Sequence, residues 1–188
     1  MTAFTTEKID VEPWFDMELF MGVSQETRLG GDVMDRFMTL WKNWLPHLTV
    51  KGIDTGKIKY LLVALDESVE QDVDKAWEGS PSNAFLYNAL AQTMCMAAVH
   101  AVIPEVQDAG CAPAPKPTAT LREALEAEGI PYSNDKDPTL SRRYAVVTHY
   151  PFKGGCEICV LQSNCPKGQG QMEATSVVLP GYEHPQQM

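Results

Sequence analysis

Three cysteines within ten residues, Cys156, Cys159 and Cys165, are the side chains whose type and spacing most plainly ask for a chemical role. They stand in Cys156-Glu-Ile-Cys159-Val-Leu-Gln-Ser-Asn-Cys165-Pro166, after Gly154-Gly155 and before Gly168. A C-x2-C turn lets two sulfurs converge on one metal or cluster, and the flanking glycines permit the tight turn. Zinc takes four ligands and a cubane one per iron, so three thiolates leave one position to fill. The segment reads as a metal site, a 4Fe-4S iron-sulfur cluster before zinc, and Cys165-Pro166 favours the cluster because Cys-Pro recurs at cluster ligands.

The first choice for the fourth ligand is Cys111, which lies in a Pro/Gly connection with no core to pack into and completes an all-thiolate shell. His149, seven residues before Cys156, is second, as an imidazole able to reach the same centre. Cys95 is third, because a cysteine within an apolar helix behaves as a small hydrophobe. A substrate or water is a further occupant of that position.

Over about 17 residues the C-x2-C-x5-C spacing resembles the iron-sulfur loop of endonuclease III type DNA glycosylases, whose pattern is C-x6-C-x2-C-x5-C. It also resembles the C-terminal cysteine triplet of cluster-bearing RecB-like nucleases. The first resemblance would put the remaining ligand at His149; the second, whose remaining cysteine is remote in sequence, would put it at Cys111. Neither family's catalytic residues are present, so the resemblance implies a cluster and no activity.

Three functions follow as expectations. The first is an iron-sulfur protein of the cytoplasm with a redox, electron-transfer or sensing role, working with a redox partner protein. The alternatives are a structural zinc-binding interaction or regulatory protein, and a thiol-disulfide redox protein using Cys156 and Cys159 in a thioredoxin-like arrangement. No Ser-His-Asp set, HExxH, GxGxxG or phosphate-binding glycine loop is visible, so whether the chain is an enzyme stays open. His100 reads as a hydrogen-bonded core or interface residue, and His47 and His184 as exposed. Glu67, Glu70, Asp72 and Asp74 read as a solvated helix face. Met34, Met38, Trp41 and Trp44 read as a core stripe, and Met94 and Met96 as gap fillers in a buried helix.

Charge and composition narrow the setting. Of the 15 Lys and Arg, 11 fall in residues 1–141, against 22 of the 25 Asp and Glu, so the surplus acid lies away from the cysteine run. Such a body repels phosphate backbones and anionic headgroups, and neither nucleic acid nor membrane is expected as a partner. Five cysteines, an odd number, argue for reduced thiols or metal ligation over a disulfide framework. The start of the sequence shows no basic run followed by an apolar one, which points to the cytoplasm. Residues 79–104 lack Asp, Glu, Lys and Arg and could span a bilayer by length, but Asn83, Asn88, Gln92, Thr93 and His100 favour a core helix or a homodimer interface through the 81–103 helix.

The elements that position the cysteines predict a helix-rich α+β fold. It divides into an acidic body, 1–141, and a strand and cysteine-loop extension, 142–188, packed on it as one compact domain. Asp32 is expected to cap a helix running to about Leu45 and stopped by Pro46. Residues 57–66 fit strand or helix, and continuity with Ser68 to Trp77 tips them to helix. Ser80-Pro81 opens the central helix, ended by Pro104. The proline-rich connection 104–117 is expected on the surface. Thr120-Leu-Arg-Glu123 is expected as a capping box for a helix to Glu128, closed by Gly129. Tyr144 to Tyr150 is the clearest strand, with Ala174 to Leu179 as its expected partner across the cysteine loop and a frayed tail after Gly181.

Overall fold

The computed structural model describes residues 4–134 and 138–165. The candidate strand 174–179, His184, Pro166, Gly168 and the tail lie outside them. The fold is helix-rich α+β around a four-stranded antiparallel sheet. Its strands β1 (Thr5–Lys8), β2 (Leu48–Asp54), β3 (Lys59–Leu65) and β4 (Ala145–His149) lie side by side in chain order. Among the described residues six α-helices accompany it: α1 (Met17–Ser24), α2 (Gly31–Trp44), α3 (Glu67–Gly79), α4 (Pro81–Val102), α5 (Glu105–Ala109) and α6 (Ala119–Ala127).

β3 corrects the helical reading of residues 57–66. Lys59 is exposed and every later residue of the strand is buried, because the sheet is covered on both faces. Leu61, Val63 and Leu65 join the large core with α1 to α5, while Tyr60, Leu62 and Ala64 join a second core under α6. A strand buried on both faces carries no apolar-polar alternation, so periodicity alone does not separate it from a helix. β2 and β3 form a hairpin in which Asp54 Oδ1 accepts the Gly56 N–H at 2.7 Å and Gly56 adopts φ 77°.

α4 carries the large core against α1, α3 and β3. Ser80 caps it, its hydroxyl accepting the Asn83 N–H at 3.4 Å, with Pro81 in the first turn as expected. The helix has the length and hydropathy of a bilayer-crossing segment, and half of that stretch is buried inside this fold. Other boundaries shift. α2 is capped by Gly30 without a side-chain bond, and Asp32 sits in its first turn, where a carboxylate favours the positive end of the helix dipole. α6 is capped by Thr118, whose hydroxyl accepts the Leu121 N–H at 3.3 Å, so Thr120 lies inside the helix and the capping box does not form. Gly129 ends the segment at φ 72°.

The acidic run of α3 is a clamp as much as a solvated face. Asp72 Oδ2 accepts the Trp44 indole N–H at 2.9 Å, and Asp74 grips the Arg143 guanidinium through both oxygens at 2.7 and 3.2 Å. Glu70 accepts the Arg143 backbone N–H at 2.9 Å. The hydrogen bond from Arg143 holds the Asp74 carboxyl below its ordinary pKa despite an opposing desolvation effect. Together these contacts tether the chain just before β4, which enters the sheet beside β3 with Tyr60 opposite His149. The expected pairing of β4 with 174–179 lies outside the described residues. The tryptophan stripe is core: Phe37, Trp41 and Trp44 are buried, while Met38 is 39% exposed and faces away.

Candidate metal centre

β4 ends at His149, the Tyr150–Pro151 peptide is cis, and the chain turns into the cysteine loop. Gly154 adopts φ 137°, a conformation that L side chains rarely adopt. The following Gly155 N–H donates to Glu157 Oε1 at 2.9 Å. Cys156 opens a 3-10 turn over Cys156–Ile158, and the Cys159 N–H closes it on the Cys156 carbonyl at 3.1 Å. Side chains three apart eclipse in a 3-10 turn, so the C-x2-C pair shares one side of the backbone. The Cys159 carbonyl accepts the Gln162 N–H at 3.1 Å, a second turn spans Gln162–Asn164, and Cys165 follows as its cap.

The proline-rich connection explains where this loop sits. After α5, Gly110 takes φ 70° and the chain runs past the sheet end to α6 on the opposite face. Ala112 packs on the large core, the Pro113 carbonyl accepts the Thr148 hydroxyl at 2.9 Å, and α6 follows in the second core. The connection therefore crosses from one sheet face to the other beside β4. It is less superficial than expected, since Pro113 and Pro115 are buried. Prolines bring no N–H into the interior, and the two carbonyls at the crossing find donors in Thr148 and Val160.

The Val160 N–H donates to the Ala114 carbonyl at 3.0 Å, joining the segment between Cys159 and Cys165 to the connection. Cys111 lies three residues before Ala114, at most about 11 Å of chain away. Cys111, Cys156, Cys159 and Cys165 are all partly exposed, and no disulfide joins any of the five cysteines. Among the described residues no three His, Cys, Asp or Glu side chains converge as a ready-made ligand set. The Val160–Ala114 bond thus joins the stretch of chain that carries Cys111 to the loop that carries the other three cysteines.

His149 points to the second core, its ring centroid 5.4 Å from that of Tyr60. Its Nδ1 is buried without a hydrogen-bond partner among the described residues. Burial, with a smaller push from Lys153, lowers its pKa and favours the neutral imidazole, the form that binds metals. Cys95 is removed from the site. Its thiol is buried in α4 and donates to the Tyr144 carbonyl at 3.5 Å, at the other end of β4 and roughly 17 Å along the strand from His149. Burial pushes its pKa up to about 12. In metal-free, reduced protein, iodoacetamide is expected to alkylate the four partly exposed cysteines and to reach Cys95 only after denaturation, as peptide mass spectrometry would read. Rapid native labelling of Cys95 would contradict the burial described here.

One cluster escaped the sequence. His47 Nδ1 lies 2.6 Å from Asp66 Oδ2 and 3.2 Å from the Ser68 hydroxyl, which also donates to Asp66. Serine and aspartate meet the same ring nitrogen, whereas a catalytic relay needs them on opposite nitrogens. The trio is the N-cap of α3, with Asp66 Oδ1 accepting the Ser68 N–H at 2.9 Å. Desolvation opposes the Asp66 anion, but the bonds from Ser68 and His47 outweigh it and lower its pKa. The sequence reading carried a helix through Asp66, so neither its role as the cap nor the approach of His47 was expected. No family model, curated protein or solved structure significantly matches the chain.

Proposed function

We propose that Cys111, Cys156, Cys159 and Cys165 hold a 4Fe-4S cluster at the end of β4, and that the chain serves electron transfer or redox sensing in a reducing compartment such as the cytoplasm. The observation that carries this reading is the hydrogen bond from Val160 to Ala114, which ties the C-x2-C-x5-C loop to the connection bearing Cys111. The loop's thiols are partly exposed, and metal binding supplies free energy for ordering them around a cluster. Four thiolates close the shell, which suits outer-sphere electron exchange with a protein partner. The surplus acid of residues 1–141 disfavours a nucleic acid partner.

The thioredoxin-like alternative has less support. Among the described residues the sheet is wholly antiparallel and Cys156 opens a turn of three residues, so the βαβ unit and the helix N-terminus that lower a thiol pKa in that arrangement are not found there. Anaerobically prepared protein is expected to be coloured and to contain iron and acid-labile sulfide in equal amounts. Cys111→Ala, Cys156→Ala, Cys159→Ala and Cys165→Ala should each lose them, and His149→Ala should keep them. Retention of the full cluster by Cys111→Ala with loss in His149→Ala would transfer the fourth position to the imidazole. Stoichiometric zinc without iron would replace the cluster by the structural-zinc reading, and protein holding neither metal would end both.

A further inference from the structure

A groove of about 310 Å³ lies between α1 and the α4–α5 corner, with Gly110, the neighbour of Cys111, in its wall. Its apolar lining is Leu19, Val23 and Met96, and its polar groups include Asp16, Glu18 and His100. That volume and the mixture of apolar wall with a few converging polar groups are those of a small-molecule site. No lysine or arginine lines it.

Gly22 also lines the groove, from the interior of α1. Glycine is among the poorest helix formers, so a packing or functional reason is sought for it there. Packing gives none, because a Cβ at Gly22 would meet nothing within 4 Å. What the missing side chain does is leave the groove open.

Asp16 Oδ1 accepts the Leu19 N–H at 3.0 Å as the cap of α1, which leaves its second oxygen for another donor. Burial lowers the pKa of His100 against a smaller opposing pull from Asp16, and the neutral ring offers an acceptor nitrogen. Two carboxylates and a neutral imidazole over an apolar wall match a cation with an apolar body and repel an anion. The chain's formal charge of -10 adds long-range attraction of the same sign.

We propose that the groove between α1 and α4 binds a small primary amine in its ammonium form, its charge against Asp16 and Glu18 and its apolar body on Leu19, Val23 and Met96.

The test titrates the full chain with 2-phenylethylamine, and separately with 3-phenylpropionate and 3-phenylpropan-1-ol as its anionic and neutral counterparts. The readout is the His100 ring resonance, assigned by its loss in His100→Gln. The amine is expected to give a saturable shift, with the anion and the alcohol at least about tenfold weaker. Glu18→Gln and Asp16→Asn, the latter keeping a good capping residue, should each weaken the amine by about tenfold. Gly22→Leu should abolish the shift without lowering the melting temperature. Should that variant not fold, Glu18→Gln on an exposed side chain carries the test. No saturable shift with the amine, equal binding of 3-phenylpropionate, or an unchanged affinity in Glu18→Gln would overturn the proposal.

Discussion

Leu62→Ala is expected to lower the unfolding free energy by about 2–5 kcal/mol, a large part of the roughly 5–15 kcal/mol that holds a domain of ordinary stability. Leu62 is fully buried in β3, the strand that pairs with both β2 and β4, and it faces the smaller core that α6 closes with Leu121, Ala124 and Leu125. A small core has few neighbours able to collapse into the void, which puts the loss toward the upper part of that range. Urea unfolding followed by far-UV circular dichroism should show a lower midpoint with an unchanged slope. A change below about 0.5 kcal/mol, the size of an ordinary surface substitution, would contradict the two-sided burial of β3.

The second large effect is local. Gly154→Ala is expected to unseat the cysteine loop while leaving the global unfolding midpoint almost unchanged. At φ 137° the new methyl would lie 2.2 Å from Glu157 Oε1, the oxygen that accepts the Gly155 N–H. Either the carboxylate leaves and that bond is lost, or the backbone shifts, and holding a non-glycine residue in such a conformation costs of order 1–3 kcal/mol. Adding Glu157→Ala removes the clash and keeps the dihedral strain, so the double variant should recover only part of the effect. Metal content and amide hydrogen exchange at 156–165 give separate readouts. Native exchange and native metal content in Gly154→Ala would show that the turn does not need its glycine.

What the sequence made legible follows from which forces are local. β4 could be read from Val146, Val147 and Thr148, and the start of α4 from Ser80-Pro81, because strand preference and capping act over a few residues. β1 could not, since all four of its residues are exposed and its only reason to be extended is the edge of β2. β2 places Lys51 and Gly52 in mid-strand, which hides it from a propensity argument. β3 misled because burial on both faces erases alternation. The burial of Pro113 and Pro115 was hidden for a related reason, since it depends on Thr148 and Val160 supplying donors from elsewhere in the chain. Spacing singled out Cys156, Cys159 and Cys165. Their relation to Cys111 rests on tertiary contact such as the Val160–Ala114 hydrogen bond, which no local pattern encodes.

The order of strands in the sheet also sets the order of events by which the fold can assemble. The β2–β3 hairpin closes over the four residues Thr55 to Ile58, whereas roughly 80 residues separate Leu65 from Ala145, so closing β4 onto β3 costs about 2.5 kcal/mol more in chain entropy. Contacts of such long range slow folding, and the rate is expected to be governed by the arrival of β4 rather than by the hairpin or by α4. The cysteine loop follows directly from β4 and hydrogen-bonds to the connection that crosses beside it. Its backbone framework is therefore expected to be completed by that long-range pairing, and the proposed capture of a cluster by the four cysteines would follow that step.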